Sequence, residues 1–335
     1  MAAARIAILG AGSVGCFIGG CWQAAGLPVS FIGRPRFASE IAEHGLTVSD
    51  FSGWQRRLDE VDYHIDPAPL AEADIIALCV KSGATEGAAR DIAEHGRAGA
   101  LVISFQNGIR NFDVLSHGMG GRFELARGLV SYNIAYLGHG RFHKGVAGEL
   151  WAEDLPWTRA LAEGVEGSPA QLRLSADMPG LAWGKLLINL NNAVNALSGR
   201  TLLEELRQRD YRRVVAACQR EGLDLLKAAG IAPAKVGAAN PRLLPRLIGA
   251  PDWLFNSILL KKWKIDARAR SSMADDLAAG HRTEVDYING ELVRLAERVG
   301  RTAPINGAIV GLMRLAEAGA APWEPNALRR ALLDR

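Results

Sequence analysis

Apolar runs alternate with amphipathic segments over the first half of the chain. Short apolar runs occur at residues 5–9, 28–33, 73–80 and 100–105, with further strand candidates at 125–132 and 145–151. The run at 73–80 lacks a polar alternation, which is typical of a parallel strand covered on both faces. Helical patterns at 16–22 and 84–94 lie between such runs. The alternation predicts βαβ units in an α/β domain.

The pattern changes after about Asp177. Apolar residues recur at helical spacing over 181–197, 211–229, 283–298 and 305–318, and Thr283 is expected to start the third of these helices. Residues 233–251 interrupt the pattern with four prolines and two glycines. We therefore expect an α/β N-terminal Rossmann-type dinucleotide-binding domain over 1–178. An all-α C-terminal domain should follow over 179–335.

The first strand runs directly into a GxGxxG motif, Gly10, Ala11, Gly12, Ser13, Val14 and Gly15. Gly10 permits a tight turn, Gly12 lets the backbone approach a pyrophosphate, and Gly15 lets the next helix pack against the strand. The helix start then offers free N–H groups to the phosphates. A chance glycine-rich turn is the alternative, and the flanking strand and helix patterns argue against it.

The end of the second strand indicates which dinucleotide is bound. An NAD enzyme usually carries an acidic residue there, which accepts a hydrogen bond from the ribose 2′-hydroxyl. This chain has Arg34 and Arg36 instead, with no acid until Glu40. A guanidinium suits a 2′-phosphate, so the sequence predicts NADP(H) with Arg34 as the reader. The alternative is a solvated arginine in a loop.

Composition and charge argue against a nucleic-acid-binding protein and against a membrane protein. The 335 residues are 49% hydrophobic and 22% charged, with a net charge of +3, so nothing in the charge argues for nucleic-acid binding. Four cysteines without a CxxC fit reduced thiols in a cytoplasmic protein. The first strand begins too early for a signal peptide, no apolar run approaches 18 residues, and no metal-ligand pattern is present.

The helical half carries three polar motifs. Lys185 and Asn189 lie four residues apart on an otherwise apolar helix, which puts both on one face. Neither is expected to be buried without a partner or a task. The second motif is Ser271-Ser272-Met273, and the third is His-Arg-Thr-Glu-Val-Asp-Tyr-Ile-Asn-Gly at 281–290.

Together with Lys81 and Gln106-Asn107-Gly108 at two strand ends, these motifs resemble the ketopantoate reductase (2-dehydropantoate 2-reductase) family over nearly the whole chain. The resemblance implies NADPH-dependent reduction of a 2-keto acid, with 2-dehydropantoate first among candidates, in pantothenate biosynthesis. It also implies that the substrate lies in the cleft between a Rossmann domain and a helical domain. A homodimer is left open.

The resemblance implies roles for single residues. Lys185 would be the proton donor, and Glu284 would hold the substrate hydroxyl or the ribose. Glu284 could also keep Lys185 protonated, because burial lowers a lysine pKa and a nearby carboxylate raises it. Asn107 would lie by the nicotinamide and the substrate, and Lys81 near the cofactor. The residues expected to bind the polar groups of the substrate are Asn189, Asn192 and Ser272.

Structural alternatives stand beside these roles. Lys185 could be a helix lysine with its ammonium in water, and Glu284 an acid stabilising a helix N-terminus. Ser272 could cap a helix that begins at Met273, and Asn189 could be a satisfied core amide. The basic run Lys261, Lys262, Lys264, Arg268 and Arg270 is either a solvated helix face or a flap that attracts an anionic substrate.

The chain departs from the family at two positions. Family asparagines are replaced by Ala193 and Ala269, and either Asn192 or Asn195 could substitute for the first. A different branched or bulkier 2-keto acid is therefore the alternative substrate. A non-catalytic NADP-binding sensor is the alternative outside the enzymes, and the presence of both Lys185 and Glu284 argues against it.

Overall fold

The computed structural model describes residues 4–237, 240–260, 265, 266 and 268–334. The chain divides into two compact units, Met1–Met178 and Pro179–Arg335. Three members of the basic run, at 261, 262 and 264, lie outside the described residues, and Arg268 is exposed.

The first unit is built on an eight-stranded sheet in the order β12-β11-β8-β7-β6-β1-β2-β5. Its strands are β1 (Ile6–Leu9), β2 (Val29–Ile32), β5 (Asp62–His64), β6 (Ile75–Leu78), β7 (Leu101–Ser104), β8 (Glu124–Val130), β11 (Leu150–Glu153) and β12 (Leu172–Ser175). The strands from β5 to β8 pair in parallel, and β11 runs antiparallel to β8. The parallel part confirms the Rossmann-type prediction.

Both faces of the sheet are covered. Along β1, Ile6 and Ile8 belong to one hydrophobic cluster, which includes Trp22 of the following helix. Ala7 and Leu9 belong to a second cluster on the opposite face. Each large apolar side chain buried in this way contributes about 1.5–3 kcal/mol relative to exposure. This two-sided burial explains the continuous apolar runs in the sequence.

A second, four-stranded sheet has the order β4-β3-β10-β9 and was not predicted. It consists of β3 (Leu46–Asp50), β4 (Gln55–Leu58), β9 (Ile134–Tyr136) and β10 (Arg141–Lys144). The strand expected at 145–151 is wrong in its bounds, because β11 begins only at Leu150. Gly148 lies in the connection, where an added Cβ would stand 2.8 Å from the Ser131 carbonyl oxygen.

The helices of the first unit flank the sheet. They are α1 (Ser13–Ala24), α2 (Pro35–His44), α3 (Thr85–His95), α4 (Asn111–Gly118) and α5 (Pro156–Gly164). In the described part of the second unit, the longer helices are α6 (Met178–Asn189), α7 (Asn191–Ser198), α8 (Leu202–Arg207), α9 (Arg209–Ala228), α12 (Ser272–Ala278), α13 (Asn289–Arg298), α14 (Pro304–Glu317) and α15 (Pro325–Leu333). A short helix, α10 (Leu244–Ile248), interrupts the proline-rich segment, and a second, α11 (Asp252–Leu254), directly follows it.

Two helix predictions require correction. The single helix expected over 181–197 is two helices that meet at Leu190, beside asparagines with poor helix propensity. The helix expected to start at Thr283 begins at Asn289 instead. The backbone N–H and hydroxyl of Thr283 both donate to a Glu317 carboxylate oxygen, at 2.8 and 2.7 Å. That distant partner replaces the helical cap that the local sequence predicts.

Among the described residues, no helix is long and apolar enough to cross a bilayer. The four cysteines are free thiols, and three of them, Cys16, Cys21 and Cys218, are buried.

Candidate functional site

The glycine motif lies at the carboxyl edge of the main sheet, where four strand ends adjoin. The order β7-β6-β1-β2 places β1 at the point where the strand order reverses, and such points are the usual ligand sites of open α/β sheets. The N–H groups of Gly10 and Ala11 donate to the Ile32 carbonyl at 3.0 and 2.9 Å. The glycine loop is therefore tied to the end of β2.

Each glycine of the motif has a separate structural reason. Gly10 has a φ of +96°, and a Cβ there would stand 2.6 Å from the Val80 backbone nitrogen. A Cβ at Gly15 would stand 2.6 Å from the Gly10 carbonyl oxygen. A Cβ at Gly12 would have nothing within 4 Å. Gly12 alone borders open space, at the start of a helix without a side-chain cap, so the loop fits a phosphate group.

Replacing Gly12 with Ala is expected to separate cofactor binding from folding. Gly12 has a φ of −95°, which alanine adopts, so the melting temperature should stay equal or rise slightly. A methyl group pressed against a pyrophosphate should cost about 1–3 kcal/mol of binding free energy, which raises the dissociation constant for NADPH roughly 5- to 150-fold. Calorimetric titration with NADPH measures this constant.

Gly15→Ala is the matched control, because its methyl group would meet backbone within the protein and lower the melting temperature. Unchanged NADPH affinity in the Gly12 variant would show that the pyrophosphate does not pass this residue.

Arg34 lies at the N-cap of α2, one residue beyond Gly33. Its side chain is exposed, with the guanidinium carbon 5.6 Å from the centre of the Phe37 ring. Arg36 is paired with Glu40 at 3.2 Å, and Tyr136 donates a hydrogen bond to the same carboxylate. Within the described chain, Arg34 has no acidic partner, while the first acid after β2 is already engaged. The end of β2 therefore presents an exposed guanidinium rather than an exposed carboxylate.

Tyr63 of β5 is a neighbour of the motif that sequence reasoning missed. Its hydroxyl donates to the Ala11 carbonyl at 2.9 Å, and its ring stacks on Phe31 with the centroids 6.2 Å apart. Tyr63 therefore supports the glycine loop from β5, which is two strands away from β1 in the sheet. No local pattern marks it, since β5 is only three residues long.

A buried polar network connects the ends of β6 and β7. Ser82 donates to the Asn107 carbonyl at 2.9 Å, and Asn111 donates to the same carbonyl and to the Ser82 hydroxyl. Gln106 donates to Thr85 at 2.8 Å. The network fixes the backbone of Asn107, whose side chain is partly exposed. Lys81, one residue before Ser82, is exposed at the same edge.

Lys185 lies on α6 among buried neighbours that include Trp183, Leu186 and Leu187. Removal from water lowers the pKa of its ammonium from 10.5 to about 8, and the charge of Glu284 opposes that shift. The structure thus places Lys185 within electrostatic reach of Glu284, although 98 positions separate them in the sequence. A partly desolvated ammonium near a carboxylate suits proton donation near neutral pH.

The chain segment after α9 packs against the lysine helix. The Ala234 N–H donates to the Gly180 carbonyl at 2.8 Å. A Cβ at Gly184 would stand 2.1 Å from the Ala234 carbonyl oxygen, so only glycine permits this approach. The start of the proline-rich segment, residues 233–251, therefore covers one side of α6 next to Lys185.

Glu284 is the residue directly before a short 3-10 turn, Val285–Tyr287, and lies five residues before the first residue of α13, Asn289. The helix-dipole alternative for this carboxylate therefore fails. Asp286, two residues on, pairs with Arg314 at 2.9 Å.

Asn192 and Ser272 come together in the second unit. The Asn192 side-chain amide donates to the Ser272 hydroxyl at 3.4 Å, and neither side chain is buried. Ser271, not Ser272, caps α12, since its hydroxyl accepts from the Ala274 N–H at 3.2 Å. The capping alternative for Ser272 is thus wrong by one residue.

The remaining asparagine positions differ in exposure. Asn195 is fully buried, so it offers nothing to a ligand, whereas Asn189 at the end of α6 is partly exposed. Ala193, which replaces a family asparagine, is also fully buried. Among the described residues, no group of three or more metal-ligating side chains could hold a metal ion.

Two family models match the chain. Residues 6–157 match ketopantoate reductase PanE/ApbA, and residues 177–317 match ketopantoate reductase PanE/ApbA, C terminal. Together the two matches cover most of the sequence and of both units.

Individual relatives agree with the family models. A 2-dehydropantoate 2-reductase from Archaeoglobus fulgidus is 28% identical over 94% of this chain and 98% of its own. The crystal structure of a PanE/ApbA family ketopantoate reductase from Ralstonia eutropha JMP134 is 30% identical, covers 94% of this chain and 98% of its own, and has a TM-score of 0.80. A ternary structure of D-mandelate dehydrogenase with NADH and anilino(oxo)acetate shares the fold, with a TM-score of 0.78, 19% identity and coverage of 94% and 98%. The chain therefore belongs to the ketopantoate reductase family and is an oxidoreductase acting on a keto or hydroxyl group.

Proposed function

We propose that this protein reduces a 2-keto acid with NADPH, and that 2-dehydropantoate is the first substrate to test. The first unit would bind the cofactor through the glycine loop, Arg34, Lys81 and Asn107. The second unit would bind the keto acid through Asn189, Asn192 and Ser272. One observation carries the proposal: the ammonium of Lys185 lies within electrostatic reach of the Glu284 carboxylate, and the two residues belong to the motifs that relate the chain to its family.

Bound NADPH supplies the hydride that reaches the carbonyl carbon of the substrate. The carbonyl oxygen then gains negative charge, and Lys185 donates a proton to it in the transition state. Glu284 stabilises the ammonium before the transfer and orients the substrate hydroxyl as it forms. Lys185 is left neutral and recovers a proton from water, which its partial exposure permits.

NADP(H) in place of NAD(H) rests on Arg34. The guanidinium is exposed and free of carboxylates among the described residues, and the first acid after β2 is engaged elsewhere. The size of this preference is predicted in the Discussion.

The rate of reduction is expected to follow the protonation of Lys185. Because the ammonium is the active form and its pKa is about 8, kcat should be flat at neutral pH and fall about tenfold per pH unit well above pH 8. Glu284→Gln removes the charge that raises this pKa, so the fall should begin at lower pH. Steady-state rates at saturating NADPH and keto acid, measured against pH, test both statements.

Glu297→Gln is the matched control, since it removes an equal charge from an exposed position on α13. The control profile should superimpose on that of the wild type. An unmoved profile in the Glu284 variant would contradict the coupling between the two groups.

A second candidate substrate follows from the two alanines. Ala269 is partly exposed and provides a methyl group where the family has an amide, which favours a less polar and bulkier 2-keto acid. Ala193 is fully buried, so it affects the substrate only through the packing of α7. Incubation with NADPH and a panel of linear, branched and aromatic 2-keto acids decides between the candidates by kcat/KM. No turnover with any member, despite NADPH binding, would favour the non-catalytic sensor.

A further inference from the structure

Two hydrogen bonds tie helix α7 to the start of helix α12, and both involve Ser271. The Ser271 N–H donates to the side-chain oxygen of Asn195 at 2.9 Å. The Ser271 hydroxyl donates to the backbone carbonyl of Asn192 at 2.9 Å. We call Asn195 and Ser271 the α7–α12 latch. The latch joins segments that lie more than 70 residues apart in the sequence.

Asn195 uses both ends of its amide in this connection. The side-chain nitrogen donates to the Arg200 carbonyl at 3.1 Å, and the residue is 0% exposed. It therefore holds three segments at once: α7, the turn that follows α7, and the residue that caps α12. A buried amide with both ends engaged fixes relative position more strictly than apolar packing does.

The residues next to the latch reach the surface of the unit. Ser272 follows Ser271, and Asn192 lies one helical turn before Asn195. Their side chains meet at 3.4 Å and neither is buried. Since the latch fixes both backbones, it also fixes the spacing of these two polar groups.

We propose that Asn195 is a positioning residue for keto-acid binding, which acts through Ser271 to hold Asn192 and Ser272 at the spacing that the substrate requires. This inference rests on the proposed function, in which those two side chains contact the keto acid. Asn195 itself touches no ligand, because it is fully buried.

Glu205 of α8 is hydrogen-bonded to Asn195 of the latch and to the neighbouring Asn191. It is fully buried, and the Asn191 side chain donates to its carboxyl at 3.3 Å. Burial raises the pKa of this carboxyl to about 8, against hydrogen bonds from Asn195 and Asn191. The raised pKa favours the protonated carboxyl, which places less charge beside the two asparagines.

Asn195→Ala is the principal test, with Asn306→Ala as its matched control. Asn306 is also a fully buried asparagine of the second unit, whose amide donates to the Cys218 carbonyl at 3.2 Å, away from the latch. Both variants should lose thermal stability. The Asn195 variant alone should raise KM for the keto acid, by roughly 10- to 100-fold, as misplaced binding groups do. KM for NADPH should stay unchanged in both.

Ser271 provides a second test that does not depend on the folding of the Asn195 variant. Ser271→Ala removes the hydrogen bond from the Ser271 hydroxyl to the Asn192 carbonyl. It keeps the hydrogen bond from the backbone N–H of residue 271 to the Asn195 side chain. Its KM for the keto acid should rise, and Ser271→Thr, which retains a hydroxyl, should restore it. A raised KM in both Asn195→Ala and Ser271→Ala supports the proposal.

Two results overturn it, and they are distinguishable. If Ser272→Ala and Asn192→Ala leave KM for the keto acid unchanged, the substrate-binding part of the proposed function fails and the positioning role fails with it. If those variants raise KM for the keto acid while Asn195→Ala and Asn306→Ala both leave it unchanged, only the positioning role fails.

Discussion

Replacing Lys185 with Met is expected to lower kcat for keto-acid reduction by about 10²–10⁴-fold, the usual contribution of a positioned general acid. Methionine keeps much of the apolar stem and removes the ammonium, so α6 should still pack. The affinity for NADPH should change little, because the proposed cofactor residues belong to the other unit. Stopped-flow single-turnover rates and NADPH titration measure the two quantities separately.

Lys144→Met is the matched control for this experiment. Lys144 is a buried lysine whose pKa is also lowered, but its ammonium donates to the Pro169 carbonyl at 3.0 Å in the first unit. Its loss should reduce stability and leave kcat per folded molecule unchanged. In Lys185→Met combined with Glu284→Gln, the loss should be smaller than the product of the single losses, as for residues that act as a unit. Near wild-type turnover in Lys185→Met would mean that the proton comes from elsewhere.

Arg34→Ala is expected to weaken NADPH binding by about 10- to 150-fold, because a charge-assisted hydrogen bond contributes roughly 1.5–3 kcal/mol. NADH binding should hardly change, since NADH lacks the 2′-phosphate. The dissociation constants of both cofactors, measured at one fixed salt concentration, give the ratio directly.

Arg36→Ala tests whether any nearby positive charge would serve. Arg36 is two residues away and also exposed, but it is paired with Glu40. Its removal should affect NADPH far less than the removal of Arg34. If Arg34→Ala weakened the binding of NADPH and of NADH equally, Arg34 would not bind the 2′-phosphate.

The glycine loop of the first unit could be predicted from sequence because its signals are local. Gly10, Gly12 and Gly15 lie within six residues, and the structure gives Gly10 a positive φ, leaves open space at Gly12 and packs Gly15 against the backbone of Gly10. The parallel runs also placed the ends of β6 and β7 at one edge, where Ser82 and Asn107 are now joined by a hydrogen bond. Periodicity and strand order are sufficient for such statements.

The proposed keto-acid site of the second unit could be predicted only in part, because its geometry depends on contacts between segments that are distant in the sequence. The sequence left either Asn192 or Asn195 to substitute for the family asparagine missing at Ala193, and it gave no sign that Asn195 is buried against Ser271. Thr283 has the local signature of a helix start, but Glu317 supplies a competing partner 34 residues away. Neither contact has a periodic signal.

The most direct test of the proposed reaction is transfer of a label. The protein is incubated with 2-dehydropantoate and NADPH deuterated at the reactive ring carbon, on each face in turn, and the product is analysed by mass spectrometry and NMR. We expect a 2-hydroxy acid with one deuterium on its carbinol carbon from one of the two labelled cofactors, formed much more slowly by Lys185→Met. The absence of a deuterated 2-hydroxy acid from 2-dehydropantoate and from every other 2-keto acid of the panel, with NADPH binding intact, would contradict keto-acid reduction by this protein.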